Sequence, residues 1–98
     1  MKPVGTKKLK ICFRRVVGNS MQPSLKQGNI VLGISKKTYT VGDIVLVKVS
    51  GKEVIKRIFS IKDNTYDIRG DNASSSTDSR NYGFIDSNQI LAKVIIKI

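Results

Sequence analysis

Ile44-Val45-Leu46-Val47-Lys48-Val49-Ser50-Gly51-Lys52-Glu53-Val54-Ile55-Lys56-Arg57-Ile58-Phe59-Ser60-Ile61 is the stretch that decides the fold. Two runs rich in β-branched residues flank Ser50-Gly51, the composition of a tight turn between antiparallel strands. Outward from this hairpin the same grammar repeats. Strands are predicted at Lys10 to Val17, Ile30 to Ile34, Ile44 to Val49, Glu53 to Ile61, Thr65 to Arg69 and Ile90 to Lys97. Gly28-Asn29, Gly42-Asp43 and Asp63-Asn64 punctuate them as turns. No eleven-residue window carries a helical period, so any helix is expected to be a single turn, with the residues after Pro23 as its place. The expected fold class is all-β: a small coiled barrel or sandwich with little or no helix. At 98 residues the chain has room for one domain spanning 1–98, in which residues 1–9 form a basic and flexible N-terminus.

The hairpin also carries a lysine inside an apolar run. Alternation along the strand puts Lys56 on the face of Val54 and Ile58, with Arg57 opposite beside Ile55 and Phe59. An ordinary lysine titrates near ~10.4 and stays protonated at neutral pH. Desolvation among apolar neighbours lowers that value and turns the amine into a base. The alternative for a mid-strand lysine is to extend its stem along the surface and keep its charge in water. The chain contains no histidine, which excludes every Ser-His-Asp arrangement. A serine nucleophile in this chain must take its base from elsewhere. The first candidate is Ser20, in Gly18-Asn19-Ser20-Met21-Gln22-Pro23, where a strand should end and backbone N–H groups can face an oxyanion. Gly18 is expected there for a close backbone approach.

Charge and composition narrow the other classes. The net charge is +11, and no acidic residue precedes Asp43, so the first 42 residues carry +9 and the remainder +2. Such a balance suits nucleic acid, an anionic membrane surface, an acidic protein partner or a plain lysine-rich surface. Nucleic acid is disfavoured, because the six aromatic residues are not interleaved with basic ones as base-stacking modules require. The single cysteine, Cys12, forms no internal disulfide and reads as a small buried hydrophobe. No metal is expected, since zinc needs several Cys or His ligands and the carboxylates show no EF-hand spacing. No cofactor of any kind is expected. The longest uncharged apolar stretches, such as Ile30-Val31-Leu32-Gly33-Ile34, fall far short of a bilayer span. Ile11-Cys12-Phe13 runs straight into Arg14-Arg15, so no signal-peptide core forms. The expected location is the cytoplasm, with a peripheral place on the cytoplasmic membrane as the alternative.

One tract interrupts the strands. Gly70 to Gly83 is polar, serine-rich and too long for a hairpin loop, yet it contains Asp71, Asp78 and Arg80. Loops of this length inside a compact domain are functional or disordered, and partners for those charged groups decide between the two.

Taken in order, Gly18-Asn19-Ser20-Met21-Gln22-Pro23-Ser24-Leu25, Gly42-Asp43-Ile44-Val45, Ile55-Lys56-Arg57-Ile58, and Gly70-Asp71-Asn72 with Ser76-x-Asp78-Ser79-Arg80-x-x-Gly83 resemble the boxes of the type I signal peptidase family. The resemblance runs from about Gly18 to Val94, over three quarters of the chain. It implies a coiled all-β core and a Ser/Lys dyad, with Ser20 as nucleophile and Lys56 as general base. Ser76 matches the serine that orients the lysine amine. Asp78 and Arg80 match a charged pair that braces the loop, while Asp71 and Asn72 match the turn opening the same box. Gly18, Asn19 and Met21 match residues of the oxyanion and substrate cleft. Two positions depart from the family pattern. Glycine stands at position 18, where many members have a serine, leaving backbone N–H groups, chiefly that of Ser20, to hold the oxyanion. Ala73 stands where an arginine is common.

The chain is expected to lack the membrane anchor and accessory β-domain of typical members. In this the chain resembles the small soluble maturation proteases of nickel-containing superoxide dismutase. The expected function is therefore a serine endopeptidase that removes an N-terminal leader from a precursor protein, the nickel superoxide dismutase precursor being the named substrate. Processing of exported preproteins at an anionic membrane is the alternative. A self-cleaving repressor type is disfavoured for want of a DNA-binding domain and a scissile segment.

Overall fold

The computed structural model describes residues 10–98. The expected flexible N-terminus, 1–9, lies outside them. Seven antiparallel strands form one sheet: β1 (Ile11–Arg15), β2 (Ile30–Ile34), β3 (Ile44–Val49), β4 (Lys52–Lys62), β5 (Thr65–Arg69), β6 (Ile85–Asp86) and β7 (Ile90–Lys97). Their order in the sheet is β1-β2-β7-β3-β4-β5-β6. The chain is all-β, as its alternation dictates.

Two tight hairpins fix the register of β3, β4 and β5. Ser50 and Gly51 sit at φ +50° and +80° between the paired residues Val49 and Lys52. Asp63 and Asn64, at φ +51° and +63°, join Lys62 to Thr65. Positive φ at both central residues matches the twist of the flanking strands. A bulge between Ile58 and Ser60 turns Phe59 outward, where the Arg69 guanidinium lies 3.7 Å from its ring centroid.

The sheet is coiled. β1 and β4 are separated by three strands in the pairing order, yet Arg14 of β1 hydrogen-bonds Glu53 of β4 at 2.6 and 3.1 Å. Apolar side chains gather on both faces in consequence. One cluster holds Tyr39, Val45, Val47, Ile58, Tyr66 and Ile68, with Ile85 and Ile90. The other, Val16, Met21, Leu25 and Val31, packs with Ile44, Ile55 and Val94.

Local expectations shift in three places. The residues after Pro23 form no helix; the Leu25 N–H bonds to the Met21 carbonyl at 2.9 Å within an irregular turn. The helical residues lie instead in the serine-rich tract and just beyond it: a 3₁₀ turn at Ala73–Ser75, α1 (Ser79–Tyr82), and a 3₁₀ turn at Ser87–Gln89. β6, two residues long, pairs with Thr65 and Tyr66 and has no counterpart in the expected strands. Among the described residues no helix is long and apolar enough to cross a membrane.

Candidate active site

Lys56 pairs with Val45 across the β3–β4 ladder and so lies on the face of the larger apolar cluster. It is 4% exposed. Its amine donates to Ser76 Oγ at 3.1 Å. Burial is the main cause that lowers its pKa from the ordinary lysine value; the Asp78 carboxylate opposes that shift and Arg80 reinforces it. The surface-stem alternative for this side chain is thereby removed.

Ser76 is held at the centre of a closed set of bonds. It accepts from Lys56 and from the Gly70 N–H (3.2 Å), and donates to Asp78 Oδ2 at 2.6 Å. Asp78 is fully buried. It also accepts from the Gly70 N–H (2.9 Å), from Arg80 Nε (2.9 Å) and from Arg80 Nη2 (2.6 Å). Burial alone would raise the Asp78 carboxyl. The bonds from Arg80, Ser76 and the backbone outweigh it and hold the group well below the usual carboxylate range. Asp78 also caps α1 with Asn81 in reciprocal side chain to backbone bonds. Every charged group of the serine-rich tract has a partner: Asp78 and Arg80 pair within it, and Asp71 pairs with Arg57 of β4.

A second set of bonds fastens this loop to the turn carrying Ser20. The Asn72 N–H donates to the Ser20 carbonyl at 2.8 Å, and Asn72 Nδ2 to the Asn19 carbonyl at 3.1 Å. Asp71 accepts a two-pronged bond from Arg57, both arms at 2.9 Å, together with the Ser24 hydroxyl. Arg57 Nη1 reaches on to the Gly42 carbonyl at 2.8 Å. Arg57 therefore ties the first, second and fourth motif stretches to the strand of Lys56. Sequence reading placed it on the correct face of β4 but assigned it no partner.

Ser20 and Lys56 line one cleft of about 240 Å³, with Met21, Leu46, Val54 and Ile55 among its other walls. No hydrogen bond joins Ser20 Oγ to the Lys56 amine in this arrangement, whose amine bond goes to Ser76. Contacts of this kind commonly tighten only when substrate fills the site. The three residues expected in the oxyanion and substrate cleft divide. Met21 is 1% exposed and belongs to the smaller core cluster, so it supports the cleft from below. Gly18 and Asn19 are not part of the cleft wall. The Gly18 N–H donates to Gln27 Oε1 at 3.2 Å, and Asn19 Oδ1 accepts from Gln22. The reason for glycine at position 18 is also different from the expected one. A Cβ there would meet nothing within 4 Å, but φ is +82°, a conformation that disfavours side chains. Close approach is required instead at Gly70, where a Cβ would come within 2.6 Å of the Ser20 carbonyl oxygen and of Ser76 Cβ.

Among the described residues no group of His, Cys, Asp or Glu could hold a metal ion. The Peptidase S24-like family matches residues 2–95, nearly the entire chain. No curated protein matches the sequence.

Proposed function

Because the chain belongs to the Peptidase S24-like family, and is thus a serine-type peptidase, we propose that Ser20 is its nucleophile and Lys56 its general base. The observation that carries this reading is the buried Lys56 amine, bonded to Ser76 at 3.1 Å on a cleft shared with Ser20. The neutral amine takes the proton of Ser20 Oγ as the oxygen bonds to the scissile carbonyl carbon. The carbonyl electron pair moves onto its oxygen. The Ser20 N–H, which donates to no acceptor among the described residues, is the donor for that oxyanion. The C–N bond then breaks, and the leaving amine takes its proton from the Lys56 ammonium. Water attacks the acyl ester as Lys56 accepts its proton, and Ser20 Oγ departs reprotonated.

Ser76 positions the base. Its own proton is committed to Asp78, so its lone pair receives an N–H from Lys56 and leaves the amine lone pair for Ser20. Arg80 has a complementary task. An unpaired Asp78 carboxylate would favour the lysine ammonium, and the Arg80 guanidinium offsets that field. Arg80→Gln is expected to raise the Lys56 pKa. A base that must be neutral then needs higher pH, so the acid limb of kcat/KM moves to higher pH, with activity lost at neutral pH and recovered in alkali. An unmoved limb would contradict this role.

The substrate in this reading is a precursor protein from which an N-terminal leader is removed, with the nickel superoxide dismutase precursor as the candidate that the motif resemblance supplies. Mixing that precursor with the enzyme and mapping the new N-terminus by mass spectrometry tests it. One new terminus, absent with Ser20→Ala, is expected; an intact precursor overturns the choice of substrate. One observation favours a second reading, cleavage of preproteins at an anionic membrane. Ile11 and Phe13 of β1 and, across β2, Ile96 of β7 are each more than half exposed on one sheet face. Co-sedimentation with anionic vesicles supports that reading, and protein left in the supernatant removes it.

A further inference from the structure

The catalytic cleft does not end at its own walls. A second, larger groove of about 1000 Å³ begins where the cleft stops, and Arg14 and Leu46 line both. Its far side is formed by Lys10, Lys36 and Lys37, from the approach to β1 and the segment after β2. Arg15 lines the cleft on the near side. Besides Lys56, five basic residues line the two cavities, Lys10, Arg14, Arg15, Lys36 and Lys37, against one acid, Glu53, which is bonded to Arg14. Lys10, Arg15, Lys36 and Lys37 form no ion pair among the described residues. Four basic residues lining these two adjoining cavities therefore carry no acidic partner. The remaining charged groups of the site show the opposite habit, since Arg57, Arg69 and Arg80 each carry an Asp partner.

We propose that the groove seats an acidic stretch of the substrate polypeptide, so that the enzyme selects precursors with Asp or Glu several residues from the scissile bond. The proposal rests on the peptidase reading in naming the occupant a substrate. The volume exceeds what a single anion would fill and suits an extended run of residues. Opposite charges would speed the encounter and set the register of the chain in the cleft. None of these four basic residues is among the causes that shift the Lys56 amine, which are burial, Asp78 and Arg80.

Fluorescence anisotropy at low salt separates this proposal from the catalytic one, because binding needs no turnover. The probes are fluorescein-labelled alternating Glu–Ala and Gln–Ala peptides of equal length, added to the Ser20→Ala protein. Tighter binding of the Glu–Ala peptide is expected, and Lys36→Glu with Lys37→Glu should weaken it by roughly tenfold or more. Lys62→Glu with Lys97→Glu, the same charge change outside both cavities, should weaken it much less. Equal binding of the two peptides, or equal losses in the two double variants, overturns the groove assignment and leaves the peptidase reading untouched. A retained Glu–Ala preference in a protein whose Ser20 form cleaves no precursor supports the groove and overturns the peptidase reading alone.

Discussion

Replacing Lys56 with methionine is expected to lower kcat/KM by roughly 10³-fold or more while making the folded protein more stable. The two effects have one cause. Folding removes the Lys56 amine from water, which disfavours its charged form, so its pKa lies below the ordinary lysine value. At neutral pH the unfolded chain holds a proton on this side chain more readily than the folded one. Stability contributed by Lys56 therefore rises with pH, from the depressed folded value up to the unfolded value near ~10.4. Methionine has a similar length and no charge to desolvate. The variant should gain stability over the wild type at neutral and lower pH, and the advantage should fade as pH approaches the unfolded lysine value. Urea denaturation across that range measures it. Ser20→Ala should lose activity to a similar degree without this pH-dependent gain. A Lys56→Met protein that retains cleavage, or is less stable at neutral pH, would contradict the account.

Gly70→Ala should be the most damaging single-methyl change in the molecule, costing roughly 2–4 kcal/mol of stability and nearly all activity. Gly70 has no positive φ among the glycines that do, so its backbone tolerates a side chain. The cost is steric. The added Cβ would press on the Ser20 carbonyl oxygen and on Ser76 Cβ at 2.6 Å, and closer still on Ser76 Oγ. It would wedge the Ser20 turn away from Ser76, which bonds the Lys56 amine. The Gly70 N–H, which donates to both Ser76 and Asp78, would move with it. Gly18→Ala offers the contrast. It meets no neighbour within 4 Å and suffers only its φ of +82°, a penalty of about 1 kcal/mol. Denaturant midpoints of the two variants, measured together with precursor cleavage, separate crowding from backbone strain. Equal losses would argue against the tight Gly70–Ser76–Ser20 contact.

Much of this architecture is legible without coordinates because β structure is written locally. Alternation and positive-φ turn residues mark β2, β3, β5 and β7 at the residues where they occur, and Lys56 falls on its buried face by parity alone. What escapes is of two kinds. Very short elements carry no period: β6 spans two residues, and α1 is a single turn held by Asp78 and Asn81 rather than by an apolar stripe. Contacts between distant segments are invisible as well. The Arg57–Asp71 pair exists because the β4–β5 hairpin folds one residue back beside the other, and the Arg14–Glu53 pair exists because the sheet coils. The bond from Lys56 to Ser76 belongs to this second kind. Only the motif resemblance pointed to Ser76, since nothing in a run of three serines distinguishes the one that faces Asp78.

The claim on which the mechanism depends is that a buried amine stands in for the absent imidazole. Carbon-13 labelling of the lysine ε-methylenes allows each amine to be titrated by NMR, with Lys56→Met identifying the Lys56 signal. That signal is expected to titrate well below the ordinary lysine value, at a midpoint coinciding with the acid limb of kcat/KM. A Lys56 signal that titrates at the ordinary lysine value, near ~10.4, would contradict it.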